Sequence, residues 1–493
     1  MTTADSPATT ARRPATAWLL ENAVFSATMA AQRLPWTDAP ARALGLDLMT
    51  RDGVMRMLLA HLRRTRSGRP VQLRTPFGSF LLPLAASDAE GMLARADEAG
   101  ALGPAVGLTA GGRRYELSQH VPLPRDAAVP AAELGALVAD DVDDAVASRR
   151  GDGTLEWHAW HRGMLRLSRR VVVGAAATED TLLSEVIAVA TAGVDSRPYA
   201  DGAAAALGRR LAPHLADPDP CSVTGRMVAQ AGGAGTGHGS DPEAAVPAVA
   251  HALALVSEAA AGTVLQALAL LAVGAAASAE DAVGEALRRY PPVAAAVYPV
   301  RASFVWEDLA VEAGTEILRA PGWLRGPHDE DRPAPGTSGA PALCGAPSAC
   351  AATRFAALVA EQIVRLVTAT VRPVVISPQF TADRLPDTLD PRTLLVALED
   401  LAAPSGDGRV TVGMPTAVPV SAFGYAPAAY GALAHASADR LERHAESLAA
   451  CAGNSGWNKD GAGEQFRVAL LGHAERCATA ATGVRRAAKR LAD

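Results

Sequence analysis

The chain is poor in aromatic residues and in cysteine. Aromatic side chains make up 4% of the 493 residues, and alanine carries much of the 49% hydrophobic share. This composition predicts a core packed from alanine-rich helices rather than from large rings. The five cysteines are scattered and lack CxxC spacing, which argues against a disulfide framework or a zinc site and favours reduced thiols in the cytoplasm.

Charge of one sign and long apolar runs are also lacking. The net charge of -6 and the absence of a basic run predict neither nucleic-acid binding nor contact with a membrane. Residues 1–15 lack the order of a signal peptide and are expected to be a disordered tail. The longest uncharged run, Ala259 to Gly274, has about 16 residues where a membrane helix needs about 18, so it predicts a buried core helix.

Hydrophobic periodicity predicts a mainly α fold with a small β region. The alternating segment 69–84 turns at Pro76–Gly78 and predicts a β-hairpin, and a strand pair is expected within 300–318. Further strands are expected at 372–376 and 409–412. The predicted helices are 46–67, 88–98, 130–148, 154–172, 178–194, a long central helix at 243–276, one that contains 285–291, and 351–369. We expect a helical hairpin extension at 426–493.

Two elements carry the chemistry. Glu285 and Arg288 lie at i and i+3 of one helix, which ends at Tyr290-Pro291-Pro292, so their side chains share a face and can form an ion pair. Cys350 follows 65 residues after Glu285 and opens an apolar helix, whose dipole favours a thiolate at that position. Cys344, in the preceding Gly/Pro/Ser-rich loop, is a weaker candidate because no helix follows it. A buried cysteine that only fills space remains the alternative for Cys350.

Together these elements resemble the Glu-x-x-Arg helix and the haem-ligand cysteine of the cytochrome P-450 family. The pattern is closest to the fatty-acid peroxygenase branch, through Phe304-Val305-Trp306, Gly314-Thr315, the meander 329–333 and the turn 414–423. The resemblance implies a P-450-like haem domain at 16–425 and haem b, with Cys350 as the iron ligand. Glu285 and Arg288 would then brace the side that bears the cysteine. It implies Arg113, Arg114 and His120 as contacts of the haem propionates.

The chain departs from the family pattern where chemistry is decided. Ser348 stands where a basic residue is usual before the cysteine, and Ala352 replaces the usual glycine after it. The central helix lacks both the acid–Thr pair of monooxygenases and the Arg-Pro pair of peroxygenases. Glu258 and His251 are the candidates for a general acid there.

Two functions therefore stand as hypotheses. In the first, the chain is a haem-thiolate peroxygenase or monooxygenase that oxidises a fatty acid or specialised metabolite with peroxide or with a ferredoxin-type redox partner. In the second, it is a degraded P-450-like protein that acts as a binding or auxiliary partner. The extension 426–493 is expected to make a protein contact in either case.

Overall fold

The computed structural model describes most of the chain in two compact units, Met1–Ala403 and Pro404–Asp493. The described residues of the first unit are 12–31, 41, 47–76, 78–103, 106–108, 114–116, 123, 127–149, 153–155, 157–190, 197–233, 245–324 and 350–401. Those of the second unit are 438, 441–443, 445–446, 449–450, 452–453 and 461–492.

The first unit is mainly helical, which confirms the predicted fold class. Its α-helices are α1 (Leu19–Ala31), α2 (Arg51–Thr65), α3 (Ala86–Glu98), α4 (Ala131–Ala147), α5 (Trp157–Val172), α6 (Thr181–Ala190), α7 (Arg197–Ala216), α8 (Val223–Gly233), α9 (Val246–Ala254), α10 (Ala261–Ala272), α11 (Ala279–Arg289) and α12 (Ala351–Thr370). Caps mark several starts. The Thr50 side chain accepts from the Gly53 N–H at α2, and the Ser278 side chain accepts from the Asp281 N–H at α11.

The predicted central helix is confirmed, with a π-helical turn in its middle. The π-helix Leu255–Ala260 joins α9 to α10 without a break. The span Val246–Ala272 is long and apolar enough to cross a membrane by length and composition alone, but 94% of its most apolar window is buried inside the protein. It is therefore the core helix that the sequence predicts. π-turns often mark functional positions, because they shift the side chains that follow by about one residue.

A seven-stranded mixed sheet lies beside the helices. Its strands are β1 (Ala15–Thr16), β2 (Val71–Thr75), β3 (Gly78–Leu82), β4 (Val106–Leu108), β5 (Arg114–Glu116), β6 (Ala295–Pro299) and β9 (Thr315–Arg319), in the order β1-β2-β3-β9-β6-β4-β5. The predicted hairpin is β2–β3, with Leu73 opposite Phe80. Two smaller antiparallel pairs are β7 (Phe304–Trp306) with β8 (Leu309–Val311), and β10 (Val371–Ser377) with β11 (Leu395–Asp400).

Three apolar clusters hold these elements together. The largest is built from the central helix, α4 to α8, α11 and α12, and it includes Cys350 and Trp160. A second cluster packs α1 and α2 on one face of the sheet, and a third packs α3 on the other. Leucine, valine and alanine dominate the first cluster, and aromatic side chains are few in it, in keeping with the composition.

Sequence patterns missed several elements and misplaced some ends. Helices α1, α7 and α8 were not predicted, since their apolar faces are interrupted by polar and small residues. Strand β6 was also missed, because Ala295–Pro299 is buried on both faces and shows no alternation. The helix predicted at 46–67 begins at Arg51 after a 3-10 turn, Asp47–Met49. The strand predicted at 409–412 lies outside the described residues.

The second unit contains one long helix, α13 (Gly461–Ala492). Buried alanines recur every seven residues in two parts of this unit. They are Ala438, Ala445 and Ala452 in the segment before α13, and Ala474 and Ala481 in α13. Arg485 of α13 forms an ion pair with Glu442. The helical hairpin prediction for 426–493 stays a prediction, because much of 404–460 lies outside the described residues.

Candidate functional site

Cys350 is the N-cap residue of α12. Its backbone is extended, with φ -107° and ψ 123°, and its carbonyl accepts the first helical hydrogen bond, from the Arg354 N–H at 3.3 Å. The side chain is buried in the largest apolar cluster, with an exposed fraction of 8%. The helix start favours a thiolate and the apolar burial opposes one, so a polar neighbour decides the character of this sulfur.

That neighbour is His251 of the central helix. The Cys350 Sγ lies 3.5 Å from the His251 Nε2, and both side chains are buried, with the imidazole 9% exposed. The two residues are 99 positions apart in sequence. The contact joins the start of α12 directly to α9, so the thiol faces an imidazole across one hydrogen-bond distance.

This contact tests whether the chain's residues fit a haem. A planar ring whose metal is bonded to the sulfur and whose far face meets the central helix needs the metal–sulfur bond length plus one van der Waals separation of about 3.5 Å. The observed distance of 3.5 Å between the Cys350 Sγ and the His251 Nε2 leaves no room for both. Val249, Ala252 and Leu253 of α9 are buried in the same apolar cluster as Cys350. As placed here, the Cys350 and His251 side chains leave no space for a ring between them.

The predicted ion pair at the end of α11 is present. Arg288 Nε donates to Glu285 Oε2 at 2.8 Å, and Arg289 donates to Glu285 Oε1 as a second partner. Burial works to raise the pKa of the Glu285 carboxyl, but the hydrogen bonds and charges of the two arginines outweigh it and leave the pKa below its ordinary value. Glu285 thus stays ionised and locks the last turn of α11.

Replacing Glu285 by glutamine is expected to destabilise the first unit by about 1–2 kcal/mol at pH 7, since two charge-assisted hydrogen bonds become neutral ones. Because the folded pKa lies below the ordinary 4.5, this contribution is complete above pH 4.5 and fades as the pH falls through the lower folded value. Urea unfolding at several pH values measures it. The matched control is Glu98→Gln in the exposed i,i+3 pair Arg95–Glu98, where little change is expected. Equal losses in both variants would contradict the prediction.

Two further hydrogen bonds anchor the segment after β10 near this helix. The Tyr290 hydroxyl donates to the Pro386 carbonyl at 2.9 Å, and Gln266 Nε2 of α10 donates to the Leu389 carbonyl at 2.7 Å. Both polar groups are buried or half-buried, so their bonds satisfy atoms that water does not reach. The Tyr-Pro-Pro stop therefore braces a neighbouring segment in addition to ending α11.

The structure does not describe the side chains of the other predicted site residues. Arg114 lies in β5, and nothing is described of its side chain. Glu258 lies in the π-helix, again without a described side chain. Arg113 and His120 lie outside the described residues, as do Cys344, Ser348, the meander 329–333 and the turn 414–423. The roles proposed for all of these stay predictions.

Two features of the site were missed by sequence reasoning. Arg289 had a usable signal, because an acid and an arginine at i and i+4 also face each other on a helix. The Cys350–His251 contact had none, since it depends on how α9 and α12 cross. Across the described part of the chain, no group of three His, Cys, Asp or Glu side chains could hold a metal ion.

Comparisons with known proteins identify structures but no sequence relatives. No family model matches the chain. No curated protein matches it either. A mutant of P450 EryK in complex with erythromycin B is 16% identical, with a TM-score of 0.48, and the match covers 71% of this chain and 98% of that one.

Two further structures resemble the chain to a similar degree. CYP109B1 from Bacillus subtilis is 11% identical with a TM-score of 0.48, and the match covers 69% of this chain and 98% of that one. Retinoic acid-bound cyanobacterial CYP120A1 is 12% identical with a TM-score of 0.47, covering 69% and 94%. All three are cytochromes P450, the family that the sequence resembles. The resemblance concerns the course of the chain, and nothing about substrate or chemistry follows from it.

Proposed function

We propose that this chain is a P-450-like protein that works as a haem-free binding or auxiliary protein. The observation that carries the proposal is the 3.5 Å contact between the Cys350 Sγ and the His251 Nε2. The thiol that would ligate iron is already partnered by the helix that would cover the far face of the ring.

The sequence departures around Cys350 support this proposal. The basic residue expected before the cysteine is Ser348, and the glycine expected after it is Ala352, which is fully buried in the core. A side chain at that position takes space that a glycine leaves for a close approach. The part of the family pattern that supports the fold is retained. Glu285 with its two arginines stabilises the end of α11 whether or not a cofactor binds.

We expect the full-length chain, purified from haem-sufficient cells, to be colourless and to bind added haemin no better than its Cys350→Ala variant does. Ultraviolet–visible absorption and a carbon monoxide difference spectrum of the reduced protein measure this. A thiolate-ligated haem gives a band near ~450 nm, and its ligation is the one that favours O–O cleavage. Stoichiometric haem with that band, lost in Cys350→Ala, would overturn the proposal.

A second variant tests the geometric reason. His251→Ala removes the buried imidazole that contacts the sulfur. The substitution lies inside α9, and alanine is a good helix former, so the helix should persist. If the imidazole closes the position, His251→Ala gains a haemin-dependent thiolate band that the double variant with Cys350→Ala lacks. If the His251→Ala protein binds haemin no better than the parent does, residues of the packed cluster other than His251 prevent haemin from binding.

The second candidate function is a haem-thiolate oxidoreductase that oxidises a small organic substrate. What favours it is Cys350 at the start of α12 together with the Glu285–Arg288 pair. A bound haem would supply the oxidative chemistry, and the separation of α9 from α12 would have to increase by several ångströms to admit it. The same spectra separate the two candidates.

A further inference from the structure

An exposed apolar tip stands at the start of α1. Trp18, Leu19 and Leu20 are consecutive and are 66%, 89% and 76% exposed. Large apolar side chains scattered singly over a surface are ordinary. Three adjacent ones at one helix end form an apolar patch, and such patches mark binding surfaces. We name these three residues the apolar tip.

The tip is held rigidly by polar contacts beneath it. The Trp18 N–H donates to the Glu21 carboxylate at 2.7 Å, which caps the start of α1. Glu21 is itself buried; it forms an ion pair with Arg66 at 3.0 Å and a hydrogen bond with His61 at 3.1 Å, both near the end of α2. These contacts already order the start of the helix. A partner that covers the tip therefore does not have to order it first, and binding loses no conformational entropy on that account.

Arginines lie beside the tip and the first turn of α1. The segment 51–84 contains seven arginines and one acidic residue, Asp52, which is buried and accepts from the Trp323 indole. Arg66 lies over the Trp18 ring at 5.3 Å, and the Arg69 N–H donates to the Arg66 carbonyl. The Arg74 N–H donates to Asn22 of α1 at 2.9 Å. We name Arg66, Arg69 and Arg74 the basic rim; Arg69 and Arg74 are exposed.

We propose that the apolar tip and the basic rim together bind an anionic lipid surface. Trp and Leu side chains at an interface bury apolar area among the acyl chains, while arginines beside them pair with lipid phosphates. The charge is complementary even though the whole chain carries a net charge of -6. The sequence shows no basic run because these arginines are separated by apolar strand residues, and folding gathers them at one end of α1 and α2.

The geometry favours a lipid surface over an acidic protein. Successive helical residues point about 100° apart, so Leu19 and Leu20 face in different directions, and Trp18 precedes the helix. A flat protein surface covers one or two of them, whereas a fluid layer surrounds all three. An indole with its N–H at the boundary between water and hydrocarbon is also the usual place for tryptophan at a membrane.

The test uses the full-length chain and extruded vesicles. We expect it to sediment with phosphatidylcholine vesicles that contain phosphatidylglycerol and to stay in solution with phosphatidylcholine alone. Leu19→Ser combined with Leu20→Ser should weaken the partition by about tenfold or more, since two buried leucines are lost. Arg69→Gln and Arg74→Gln should each weaken it about fivefold, and added salt should act in the same direction.

Matched controls separate the surface from a general effect. Leu182→Ser replaces a leucine on α6 that is 48% exposed, and Arg95→Gln replaces an exposed arginine on α3; neither should change the partition. Circular dichroism and thermal unfolding verify that each variant is folded. No binding to anionic vesicles, or equal binding by the Leu19/Leu20 variant and the parent, would overturn the proposal. This surface does not depend on haem, so its test and the haemin titration succeed or fail separately.

Discussion

Replacing Gly225 by alanine is expected to destabilise the first unit by about 3 kcal/mol or more. Gly225 lies in the first turn of α8 and is buried. A methyl group there would sit 1.9 Å from the Asp219 carbonyl oxygen and 2.8 Å from the Pro220 Cα. Both atoms belong to the backbone, so no side-chain rotation relieves the clash.

The turn cannot move away from Gly225, because several hydrogen bonds hold it. The Asp219 carboxylate accepts from the N–H groups of Ala175 and Cys221, at 2.8 and 2.9 Å. Ser222 donates its hydroxyl to the Asp219 carbonyl at 2.8 Å. Relieving the clash would break part of this set or shift α8, and either change costs more than the roughly 1 kcal/mol that alanine gains over glycine in a helix.

Gly208→Ala in α7 is the matched control for this substitution. A methyl group at Gly208 meets no atom within 4 Å, so only the helix propensity changes and we expect no loss, or a gain of up to about 1 kcal/mol. Urea unfolding of the parent and the two variants, followed by circular dichroism, measures the difference. Gly225→Ala and Gly208→Ala of equal stability would contradict the prediction.

Sequence patterns predicted the elements whose signal is local. The central helix, the β2–β3 hairpin and the start of α12 at Cys350 each carry their own periodicity or turn residues, and each is confirmed. The Glu285–Arg288 pair belongs to the same group, since helical spacing alone brings the two side chains together. Local signals of this kind do not depend on where the rest of the chain lies.

The contacts that decide function were out of reach of such patterns. His251 meets Cys350 only because α9 and α12 cross at one place, and nothing near either residue indicates the crossing. The sequence resemblance led to the opposite expectation, a ring between these two helices. The basic rim was missed for a similar reason, because Arg66 reaches the Trp18 ring and Arg74 reaches Asn22 only when α1 packs on α2 and β2.

The two proposals assign different surfaces of one scaffold. In the first proposal, the contact between Cys350 and His251 occupies the space that a cofactor would need. The apolar tip lies in another cluster, on α1 and α2, where exposed leucines oppose solubility unless a partner covers them. A scaffold without cofactor chemistry, held at a lipid surface, would present its remaining surface to partners there.

Replacing Trp160 by alanine is expected to destabilise the first unit by about 3–5 kcal/mol. Trp160 of α5 is fully buried, and it is among the largest side chains in the core. Its indole N–H donates at 3.1 Å to the carbonyl of Ala261, which is the first residue after the π-helix. The substitution thus opens a cavity and removes the brace at the point where the central helix returns to α-helical spacing.

Trp160→Phe separates these two effects. Phenylalanine fills most of the space but donates no hydrogen bond, so the loss should fall to about 1–2 kcal/mol, the contribution of one buried hydrogen bond. We expect the loss of this bond to loosen the π-helix, which amide hydrogen exchange of residues 255–261 detects. Trp157→Phe on the same helix is the control, because Trp157 is partly exposed and stacks on His161. Cys350 packs against this central helix. Faster exchange in Trp160→Phe alone would show that the hydrogen bond to the Ala261 carbonyl stabilises the helix that contacts the thiol. Unchanged exchange would show that other contacts hold the π-helix instead.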